Sequence, residues 1–507
     1  MIPLRVSQVA TVLAAGLLPG GGAPVDLGRT VTHVTADSRT VGPGSLFVAL
    51  PGERVDGHAF VARAFAAGAT AVLVAHSVEG APGPQLVVPD PLEALGRLAR
   101  HVVDRARAGG LRVVGITGSQ GKTSTKDLLG AVLAAAGPTV APAGNLNNEL
   151  GVPLTVLRLE AGSTSASEGN PSGGVGGRPP SGQGTRYLVV EMGARGIGHI
   201  AYLCGIAPLD VAVVLNVGHA HVGEFGGREA IAQAKGELVE ALTDGGVAVL
   251  NAEDERVWAM RARTRAGVLP YAVGTIPGPG DAVWADGLVA DDRGRYAFTL
   301  HRRLGGTEEA AHVALRGTGR HQVGNATAAA AAAFAVGLPL DVVAPALSAA
   351  EPASRWRMEV HDRADGVRVV NDSYNANPDS MAAAVETLAE LARGRGRSWA
   401  VLGDMLELGA EAPALHTALA TQLAAAGVDE VVALGDFAPL LVDGQPGRAR
   451  VAQDGAQAAA WVRADVRPGD VVLVKASRGL ALDVVADDIL RAPDPEHDTA
   501  VEAGGRA

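Results

Sequence analysis

Residues 115–125 read Gly-Ile-Thr-Gly-Ser-Gln-Gly-Lys-Thr-Ser-Thr and directly continue the mostly apolar residues 111–114, Leu-Arg-Val-Val. A strand-like run that enters a glycine-rich turn and then a helix is typical of nucleotide-binding α/β proteins. Gly118 and Gly121 let backbone N–H groups converge on phosphate oxygens without a side-chain clash. The helix that begins near Lys122 directs its positive end toward the same point. These residues therefore predict a phosphate-binding loop.

The loop is expected to offer a lysine to the terminal phosphates and a hydroxyl to Mg²⁺, here Lys122 and Thr123. It has the shorter Thr-Gly-Ser-Gln-Gly-Lys-Thr spacing, because position 116 is isoleucine rather than glycine. Such a loop serves kinases, GTPases, motors or ligases, and the sequence lacks the Asn-Lys-x-Asp guanine motif of a GTPase. The alternative is a turn that binds nothing. The predicted ATP contacts are Gly118, Ser119, Gln120, Gly121, Lys122, Thr123 and Ser124.

Composition restricts the class of protein. A chain of 507 residues, 47% hydrophobic and 19% charged, is expected to fold as two to four ordinary globular domains. A net charge of -11 without a long Lys/Arg run disfavours a nucleic-acid partner. No stretch of about 18 apolar residues is uninterrupted, so no membrane span is predicted. The single cysteine, Cys204, and an N-terminus without a cleavage site favour a cytoplasmic protein.

Short apolar runs alternate with helical patterns along the chain, which predicts an α/β fold in three domains. We expect a small N-terminal α/β domain (1–108), a central phosphate-loop ATPase-like domain with a mostly parallel sheet (109–350), and a C-terminal Rossmann-like domain (351–507). Residues from about 161 to 184 are rich in Gly, Ser and Pro and are predicted to be a disordered insertion. The polar tail after about residue 492 is expected to be loose.

A family resemblance is carried by motifs spread over nearly the whole chain outside that insertion and the tail. The loop TGSQGKTST resembles the ATP loop of the Mur ligases, and ADSRTVGPGSLFVALPGERVDGHAF resembles their uridine-nucleotide-binding N-terminal domain. The motifs that follow, in the order of the family, are GNLNNELGVPLTVL, EMGARGIGHI, NVGHAHVGEFGG, QAKGELVEAL, GRHQVGNATAAA, VVNDSYNANPDSM, GDMLELG and KASRG. The resemblance implies an ATP- and Mg²⁺-dependent ligase that forms an amide bond.

Two of these motifs, NDSYNANPDSM and GDMLELG, look most like the branch that adds D-alanyl-D-alanine to UDP-N-acetylmuramoyl-tripeptide. The diaminopimelate-adding branch would carry an Asp-Asn-Pro-Arg motif, which this sequence lacks. The implied chemistry begins with phosphorylation of the tripeptide carboxylate by ATP. The dipeptide amine then attacks the acyl phosphate, and phosphate leaves from a tetrahedral intermediate. The expected product is the UDP-muramoyl-pentapeptide precursor of peptidoglycan, and the expected enzyme is a monomer.

The resemblance also implies metal ligands. Glu191, at the end of a predicted strand, matches a Mg²⁺ ligand, and a strand-end glutamate without a function is the alternative. Of the two histidines in NVGHAHVGEF, the family pattern selects His221 over His219 as ligand and catalytic residue. Relatives carry a carbamylated lysine at the position of Lys235, which would then join Thr123 among the ligands. The alternative for Lys235 is a helix-surface ion pair with a nearby glutamate, Glu237 or Glu240.

The remaining site residues are carried over by motif. The asparagine-rich turns could equally bond their own backbone, and Gln322 stands where relatives can have Asn. Arg39 suits a pyrophosphate, with a surface ion pair as its alternative. The resemblance implies ATP contacts at Asn325, Arg357 and Asp372, with His321 nearby. It implies substrate contacts at Asp37, Ser38, Arg39, Asn145, Asn147, Asn148, Asn375 and Asn377, and less directly at Asp404, Lys475, Ser477 and Arg478.

Two other functions remain open at this point. A folylpolyglutamate- or cyanophycin-type ligase shares the central and last domains, but it needs no uridine pocket, and residues 36–60 resemble one. A non-catalytic relative is expected to have lost Lys122, Glu191 or His221, and all three are present.

Overall fold

The computed structural model describes residues 1–19, 26–52, 55–142, 144–162, 184–219, 222–274, 278–445 and 447–491. Most of the predicted insertion, the predicted loose tail and His221 lie outside these residues. The α/β prediction is confirmed: helices surround three main sheets. The domain boundaries after residues 108 and 350 stay predictions, and they fall in the loops that separate these sheets. Within the described part of the chain, no helix has the length and apolar content needed to cross a bilayer.

The N-terminal sheet has five strands in the order β2-β7-β6-β5-β4, parallel except for the β2–β7 pair, and a small β1–β3 ribbon lies beside it. Helix α3 begins with Pro91 after Asp90, whose carboxylate accepts the N–H groups of Leu92 and Glu93. The strands are β1 (Leu4–Arg5), β2 (Gly16–Leu18), β3 (Thr30–Val31), β4 (His33–Thr35), β5 (Ser45–Val48), β6 (Ala71–Val74) and β7 (Gln85–Val87). The helices are α1 (Val6–Leu13), α2 (Val61–Ala66), preceded by a 3-10 turn (Gly57–Phe60), and α3 (Pro91–Arg107).

The central sheet has nine strands in the order β16-β15-β14-β13-β12-β11-β8-β10-β9. The strands are β8 (Arg112–Thr117), β9 (Thr139–Val140), β10 (Tyr187–Glu191), β11 (Val211–Val214), β12 (Val247–Asn251), β13 (Gly267–Val273), β14 (Ala282–Ala290), β15 (Arg295–Leu304) and β16 (Thr307–Thr318). The helices are α4 (Lys122–Ala136), α5 (Gly151–Val156), α6 (His199–Ile206), α7 (Val222–Phe225), α8 (Arg228–Glu240), α9 (Glu255–Ala259) with a 3-10 turn (Met260–Arg263), α10 (His321–Ala335) and α11 (Leu340–Ala349).

Both faces of the central sheet are covered, and for this reason its inner strands are continuous apolar runs. Along β8, Val113 belongs to the core shared with α3, whereas Val114 and Ile116 belong to the core under α4 and α10. β14, β15 and β16 add an antiparallel extension that the sequence analysis did not anticipate. At the edge of the sheet, Thr185 donates its N–H to Glu160 O at 3.0 Å, so the two ends of the predicted insertion lie close together.

The C-terminal sheet has six strands in the order β17-β18-β22-β19-β20-β21, parallel except for β17. The strands are β17 (Glu359–Asp362), β18 (Arg368–Asn371), β19 (Ser398–Gly403), β20 (Glu430–Leu434), β21 (Arg448–Val451) and β22 (Val471–Lys475). The helices are α12 (Pro378–Ala392), α13 (Ala412–Ala425) after a 3-10 turn (Gly409–Glu411), α14 (Ala438–Val442), α15 (Gly455–Asp465) and α16 (Asp483–Leu490) after a 3-10 turn (Arg478–Leu480).

Polar contacts join the antiparallel extension to the C-terminal sheet and its helices. Asp362 pairs with Arg368 of its own sheet at 2.7 Å and with Arg293 of the extension at 2.5 Å. These guanidiniums, Arg368 first, lower the pKa of Asp362 from 3.8 to about 2. Tyr296 of β15 donates its hydroxyl to the carboxylate of Glu390 on α12 at 2.8 Å. These contacts fix the side of the C-terminal sheet that lies away from the phosphate loop.

Candidate active site

A cavity of about 480 Å³ lies between the central and C-terminal sheets and contains most of the predicted site. The carboxyl ends of β8, β10, β18 and β22 border it, which is where open parallel sheets bind ligands. The predicted residues that line it are Ser119, Gln120, Gly121, Lys122, Thr123, Ser124, Asn145, Asn147, Asn148, Glu191, Lys235, Asn325, Arg357, Asp372, Asn375 and Asn377.

The phosphate loop is compact, and Gly121 is required by its geometry. This residue has φ +81°, and a Cβ there would lie 2.5 Å from Asn325 Oδ1. The Lys122 ammonium bends over the loop and donates to Gly118 O at 2.7 Å. Burial lowers the pKa of Lys122, an effect that the nearby Glu191 carboxylate opposes. The loop therefore holds a partly desolvated cation at the place where phosphate oxygens would bind.

Asn216, just beyond β11, organises this loop and was not singled out from the sequence. Its Oδ1 accepts the N–H groups of Ser119 and Gln120, each at 2.9 Å, and its Nδ2 donates to Gln120 O at 3.2 Å. The hydroxyl of Ser119 accepts the N–H of Gly218 at 2.9 Å. The sequence signal for this role is its position, because Asn216 opens the motif NVGHAHVGEF directly after an apolar strand.

Glu191 is buried at the end of β10 and lies beside the hydroxyl of the loop. Thr123 Oγ1 donates to Glu191 Oε2 at 3.1 Å, and Asn147 Nδ2 donates to Glu191 Oε1 at 2.9 Å. Arg357, which follows the central helices in the chain, donates from Nη2 to Thr123 Oγ1 at 3.1 Å and stacks over the ring of Tyr374. A threonine hydroxyl and a carboxylate are hard oxygen ligands, so this pair fits Mg²⁺ bound together with substrate phosphates.

Lys235 lies within α8, and its side chain is buried against the cavity. The surface ion pair considered for it is not formed. Glu240 pairs with Arg263 at 2.8 Å, and Glu237 accepts the N–H groups of residues 198 and 201 at the start of α6. Burial lowers the pKa of Lys235 well below its usual value, and the neighbouring Lys122 charge lowers it further. The structure therefore brings two desolvated lysines to one side of the cavity.

The histidines of NVGHAHVGEF are only partly described. His221 lies outside the described residues. His219 donates its backbone N–H to Asp379 Oδ2 at 2.8 Å, which links the loop after β11 to α12. Among the described residues, no group of three or more His, Cys, Asp and Glu side chains is arranged to hold a metal by itself. A cation at Thr123 and Glu191 would thus depend on phosphate oxygens for further ligands.

The start of α10 forms the wall of the cavity expected near adenine. Asn325 Nδ2 donates to Gln322 Oε1 at 3.0 Å, so Gln322 orients Asn325. Thr125 donates its hydroxyl to Asn325 Oδ1 at 3.4 Å. Within the described part of the chain, buried His321 Nδ1 has no hydrogen-bond partner, and burial lowers the pKa of this histidine.

On the C-terminal side, a buried ion pair joins β18 and β22. Lys475 Nζ lies 2.6 Å from Asp372 Oδ2 and donates to Asn375 O at 2.8 Å. Asn377 caps α12, because its Oδ1 accepts the N–H of Ser380 at 2.9 Å. Asp372, Asn375 and Asn377 all border the cavity, and the pair explains how the turn that carries them is held.

Asp404, Ser477 and Arg478, which the resemblance also implied, form hydrogen bonds or ion pairs with other residues of the C-terminal domain. The Asp404 carboxylate accepts the N–H groups of residues 436 and 437 before α14, at 2.7 and 3.1 Å. Ser477 Oγ accepts the N–H of Leu406 at 2.9 Å. Arg478 pairs with Asp483 at 2.7 Å and also lines the cavity, which Asp404 and Ser477 do not. Asp404 and Ser477 thus support the loops around the site.

The residues of the asparagine loop, Asn145, Asn147 and Asn148, make different contacts. Asn147 contacts Glu191, and Asn145 faces the cavity. Asn148 also accepts the N–H of Gly151 at 2.8 Å and so caps the turn into α5, as the alternative for these asparagines proposed. Beyond the loop, Arg195 and His199 line the same wall and were not predicted.

The three residues predicted in the N-terminal domain lie outside this cavity. Arg39 pairs with Asp37 at 2.7 Å, with 78% and 40% of the two side chains exposed. The hydrogen bonds from Arg39 lower the pKa of Asp37 to about 2. The structure thus shows a surface ion pair beside Ser38, and it does not bring these residues to the phosphate loop.

Fold and site together define a phosphate-loop nucleotide-binding enzyme whose cavity carries groups suited to phosphoryl transfer. Three family profiles match the chain: "Mur ligase family, catalytic domain" over residues 30–102, "Mur ligase middle domain" over residues 116–333, and "Mur ligase, glutamate ligase domain" over residues 356–478. The chain belongs to the Mur ligase family, and the resemblance recognised in the sequence is confirmed.

Individual relatives cover nearly the whole chain. The UDP-N-acetylmuramoyl-tripeptide--D-alanyl-D-alanine ligase of Mycobacterium tuberculosis (strain ATCC 25618 / H37Rv) is 42% identical, over 97% of this chain and 98% of its own. The crystal structure of MurF from Acinetobacter baumannii matches with a TM-score of 0.81 at 30% identity, over 96% of this chain and 99% of that chain. MurF ligase from Thermotoga maritima in complex with ADP matches with a TM-score of 0.73 at 27% identity, over 90% and 97%.

Proposed function

We propose that this enzyme joins D-alanyl-D-alanine to UDP-N-acetylmuramoyl-tripeptide with consumption of ATP, and so makes the pentapeptide precursor of peptidoglycan. The relatives that cover the chain almost completely are named for this reaction. The structural observation that carries the proposal is the meeting of the phosphate loop, Glu191 and the asparagine loop at one cavity. A nucleotide and a carboxylate substrate can bind next to each other there.

The proposed chemistry requires activation of a carboxylate, which is a poor electrophile. Transfer of the γ-phosphoryl group of ATP to the tripeptide carboxylate gives an acyl phosphate and ADP. The amine of D-alanyl-D-alanine then attacks the acyl carbon, and phosphate leaves as the amide bond forms. Lys122, desolvated at the phosphate loop, is suited to stabilise the negative charge that builds up on the transferred group.

The oxygen ligands present fit Mg²⁺. Thr123 and Glu191 would hold one ion, and a carbamylated Lys235 would help Glu191 and His221 to hold a second one. Such an ion, when bound, neutralises phosphate charge. The Asn147 amide holds Glu191 in position, and the Arg357 guanidinium donates to Thr123. The amide thus orients the Glu191 carboxylate for a hard cation, whereas Arg357 must leave the Thr123 hydroxyl before that oxygen can bind one.

The substrates are assigned to different walls of the cavity. ATP is proposed to bind the phosphate loop and Asn325, with Arg357 and Asp372 approaching from the C-terminal side. The tripeptide is proposed to extend along Asn145, Asn147 and Asn148 toward a uridine diphosphate site at Asp37, Ser38 and Arg39. D-alanyl-D-alanine is proposed to meet Asn375 and Asn377. In this assignment the amine approaches from the C-terminal sheet, opposite the phosphate loop.

The comparisons do not favour the alternative functions. A folylpolyglutamate- or cyanophycin-type ligase would not require the N-terminal family match over residues 30–102. A non-catalytic relative is disfavoured because Lys122 and Glu191 both line the cavity in bonded, ordered positions.

The test is a measurement of phosphate release with UDP-N-acetylmuramoyl-tripeptide, ATP and a panel of amino components. We expect turnover with D-alanyl-D-alanine and a product mass equal to that of the pentapeptide nucleotide. Diaminopimelate, L-lysine and L-glutamate should give background rates. Turnover with a free amino acid and none with the dipeptide would overturn the assignment. Omission of the muramoyl substrate is the control for uncoupled ATP hydrolysis.

A further inference from the structure

Lys126 is a buried lysine of α4 that the chemistry proposed above does not use. Its side chain is 2% exposed, and it does not line the cavity. Nζ donates to Pro142 O at 2.9 Å and to Gly144 O at 3.2 Å, and it lies 2.5 Å from Asp127 Oδ1. An ammonium has three N–H donors, and each of them has an acceptor here. Lysine is rarely buried unless it is paired, and Lys126 meets this condition only through these three contacts.

The two backbone carbonyls belong to the segment that leads into the asparagine loop. Asn145 and Asn147 follow directly and face the cavity. The other end of the loop is tied to β10, because Asn147 donates to Glu191 Oε1 at 2.9 Å and accepts the N–H of Gly193 at 2.8 Å. Lys126 therefore holds the first part of a loop whose second part contacts the proposed metal ligand.

The same helix carries the phosphate loop lysine at its start. Lys122 and Lys126 are four residues apart on α4, which is about 6 Å along the helix axis. A helix of this length is rigid on that scale, so the two carbonyl contacts of Lys126 fix the start of the asparagine loop relative to Lys122, while Asp127 of the same helix neutralises the ammonium.

We propose that Lys126 is a positioning residue that fixes the asparagine loop, the proposed tripeptide-binding loop, relative to the phosphate loop. The inference rests on the proposed function, in which the tripeptide carboxylate must lie in line with the γ-phosphate. A misplacement of about 1 Å between reacting groups can reduce a rate about 100-fold. The Lys126 ammonium joins α4 to the asparagine loop, so it controls this spacing without contacting either substrate.

The test uses Lys126→Met, which keeps the length of the side chain and removes all three donors. In the full-length enzyme we expect the KM for UDP-N-acetylmuramoyl-tripeptide to rise about tenfold or more and kcat to fall, because the loop that binds the tripeptide and aligns its carboxylate loses its link to α4. The KM for ATP should change less than about threefold, because the phosphate loop keeps its own contacts to Asn216. Lys126→Arg should restore part of the tripeptide affinity, since a guanidinium can donate to both carbonyls.

A matched control separates positioning from stability. Leu133→Ala removes a buried side chain from the same helix without touching the loop, so it should lower the melting temperature and leave the ratio of the two KM values unchanged. If Lys126→Met does not fold, Lys126→Gln provides the decision. Its shorter, neutral amide keeps a donor in the buried space but reaches the two carbonyls less well, so the tripeptide KM should still rise selectively.

Two outcomes distinguish the inference from the function on which it rests. If the unmodified enzyme does not turn over the tripeptide nucleotide with D-alanyl-D-alanine, the proposed function fails. Suppose instead that the unmodified enzyme is active. If the folded Lys126 variant that removes the loop contacts then changes the KM for ATP and the KM for the tripeptide nucleotide equally, or changes neither, the positioning role of Lys126 is wrong.

Discussion

Replacement of Lys235 by alanine tests whether this buried lysine acts in catalysis. In the proposed role its neutral amine would add to CO₂ with release of a proton, and the resulting carbamate would offer anionic oxygens to a metal ion. An unmodified ammonium beside a cation would repel it. The variant removes the carbamate altogether, so a large loss of turnover is expected, and a small carboxylate that enters the vacated space should restore part of it.

The structure supplies the reasons to expect a large effect. The side chain of Lys235 is 4% exposed, and the neighbouring glutamates of α8 are engaged elsewhere, Glu240 with Arg263 and Glu237 with the start of α6. Desolvation lowers the pKa of the amine, so the neutral, nucleophilic form that reacts with CO₂ is favoured. A carbamate would also place a negative charge near Lys122, whose charge now acts on Lys235 unfavourably.

The magnitude follows from comparing two roles. If Lys235 only packed within the fold, its loss would change the turnover of the folded enzyme less than about fivefold, or about 1 kcal/mol. Loss of groups that support a metal ligand commonly reduces affinity or activity 10–100-fold, and loss of the ligand itself should reach at least about 100-fold, or about 2.7 kcal/mol. The two roles therefore differ by more than an order of magnitude in rate.

The assay is phosphate release by Lys235→Ala at saturating ATP, Mg²⁺ and both substrates, with and without formate or acetate. Gln233→Ala, an exposed position on the same helix, controls for perturbation of α8, and melting curves control for folding. Recovery with formate in Lys235→Ala, and none in the unmodified enzyme, is the expected signature. Near-normal turnover of Lys235→Ala without any added carboxylate would remove this residue from the mechanism.

Three further outcomes are expected. Deletion of residues 163–183 should leave turnover within about twofold, since the flanking residues are bonded to each other and loop length affects stability only weakly; a large loss of turnover would contradict this. Glu191→Gln keeps the shape but removes the charge, so the Mg²⁺ concentration for half-maximal activity should rise about tenfold, and an unchanged requirement would exclude Glu191 as a ligand. The folded-state pKa of Asp362 lies below its unfolded value of 3.8, so its two arginine pairs stabilise the protein above about pH 4 and lose that effect as the pH falls toward 2. Melting temperatures of Asp362→Asn should thus lie below those of the unmodified protein at pH 7 and converge with them near pH 2, and a constant difference would refute the assignment.

Local patterns were sufficient to predict the phosphate loop, whereas the role of Glu191 was implied by the family resemblance. The strand, turn and helix of residues 111–125 are contiguous, and in the structure the parallel pairing of β10 with β8 brings Glu191, at the end of β10, to Thr123. The antiparallel strands of residues 282–318 were not anticipated, because their pairing depends on registers between segments and not on composition. The fold class thus followed from alternation, and the extension required the three-dimensional structure.

Contacts between distant segments could not be derived from motifs. Asn216 and Ser119 are 97 residues apart, and Arg357 and Thr123 are 234 residues apart. A motif names the residue types, but a side chain such as Asn216 acquires its role only when the loop comes within hydrogen-bond distance. Asn148 shows the converse case, since its motif implied substrate contact and its Oδ1 caps a turn. Asparagine serves both purposes, and only the backbone around it decides between them.

Residues 356–358 form part of the linker between the central and C-terminal sheets, and residues of the cavity hold this linker in a strained conformation. Trp356 and Met358 have φ of +59° and +53°, a conformation that costs non-glycine residues about 1–2 kcal/mol each. Site residues stabilise it, because Asp372 Oδ1 accepts the N–H of Met358 at 3.1 Å and Arg357 stacks on Tyr374. A ligand that draws Asp372 or Arg357 away removes this support and favours another linker conformation. Ligand binding at Asp372 or Arg357 is therefore thermodynamically linked to the conformation of residues 356–358.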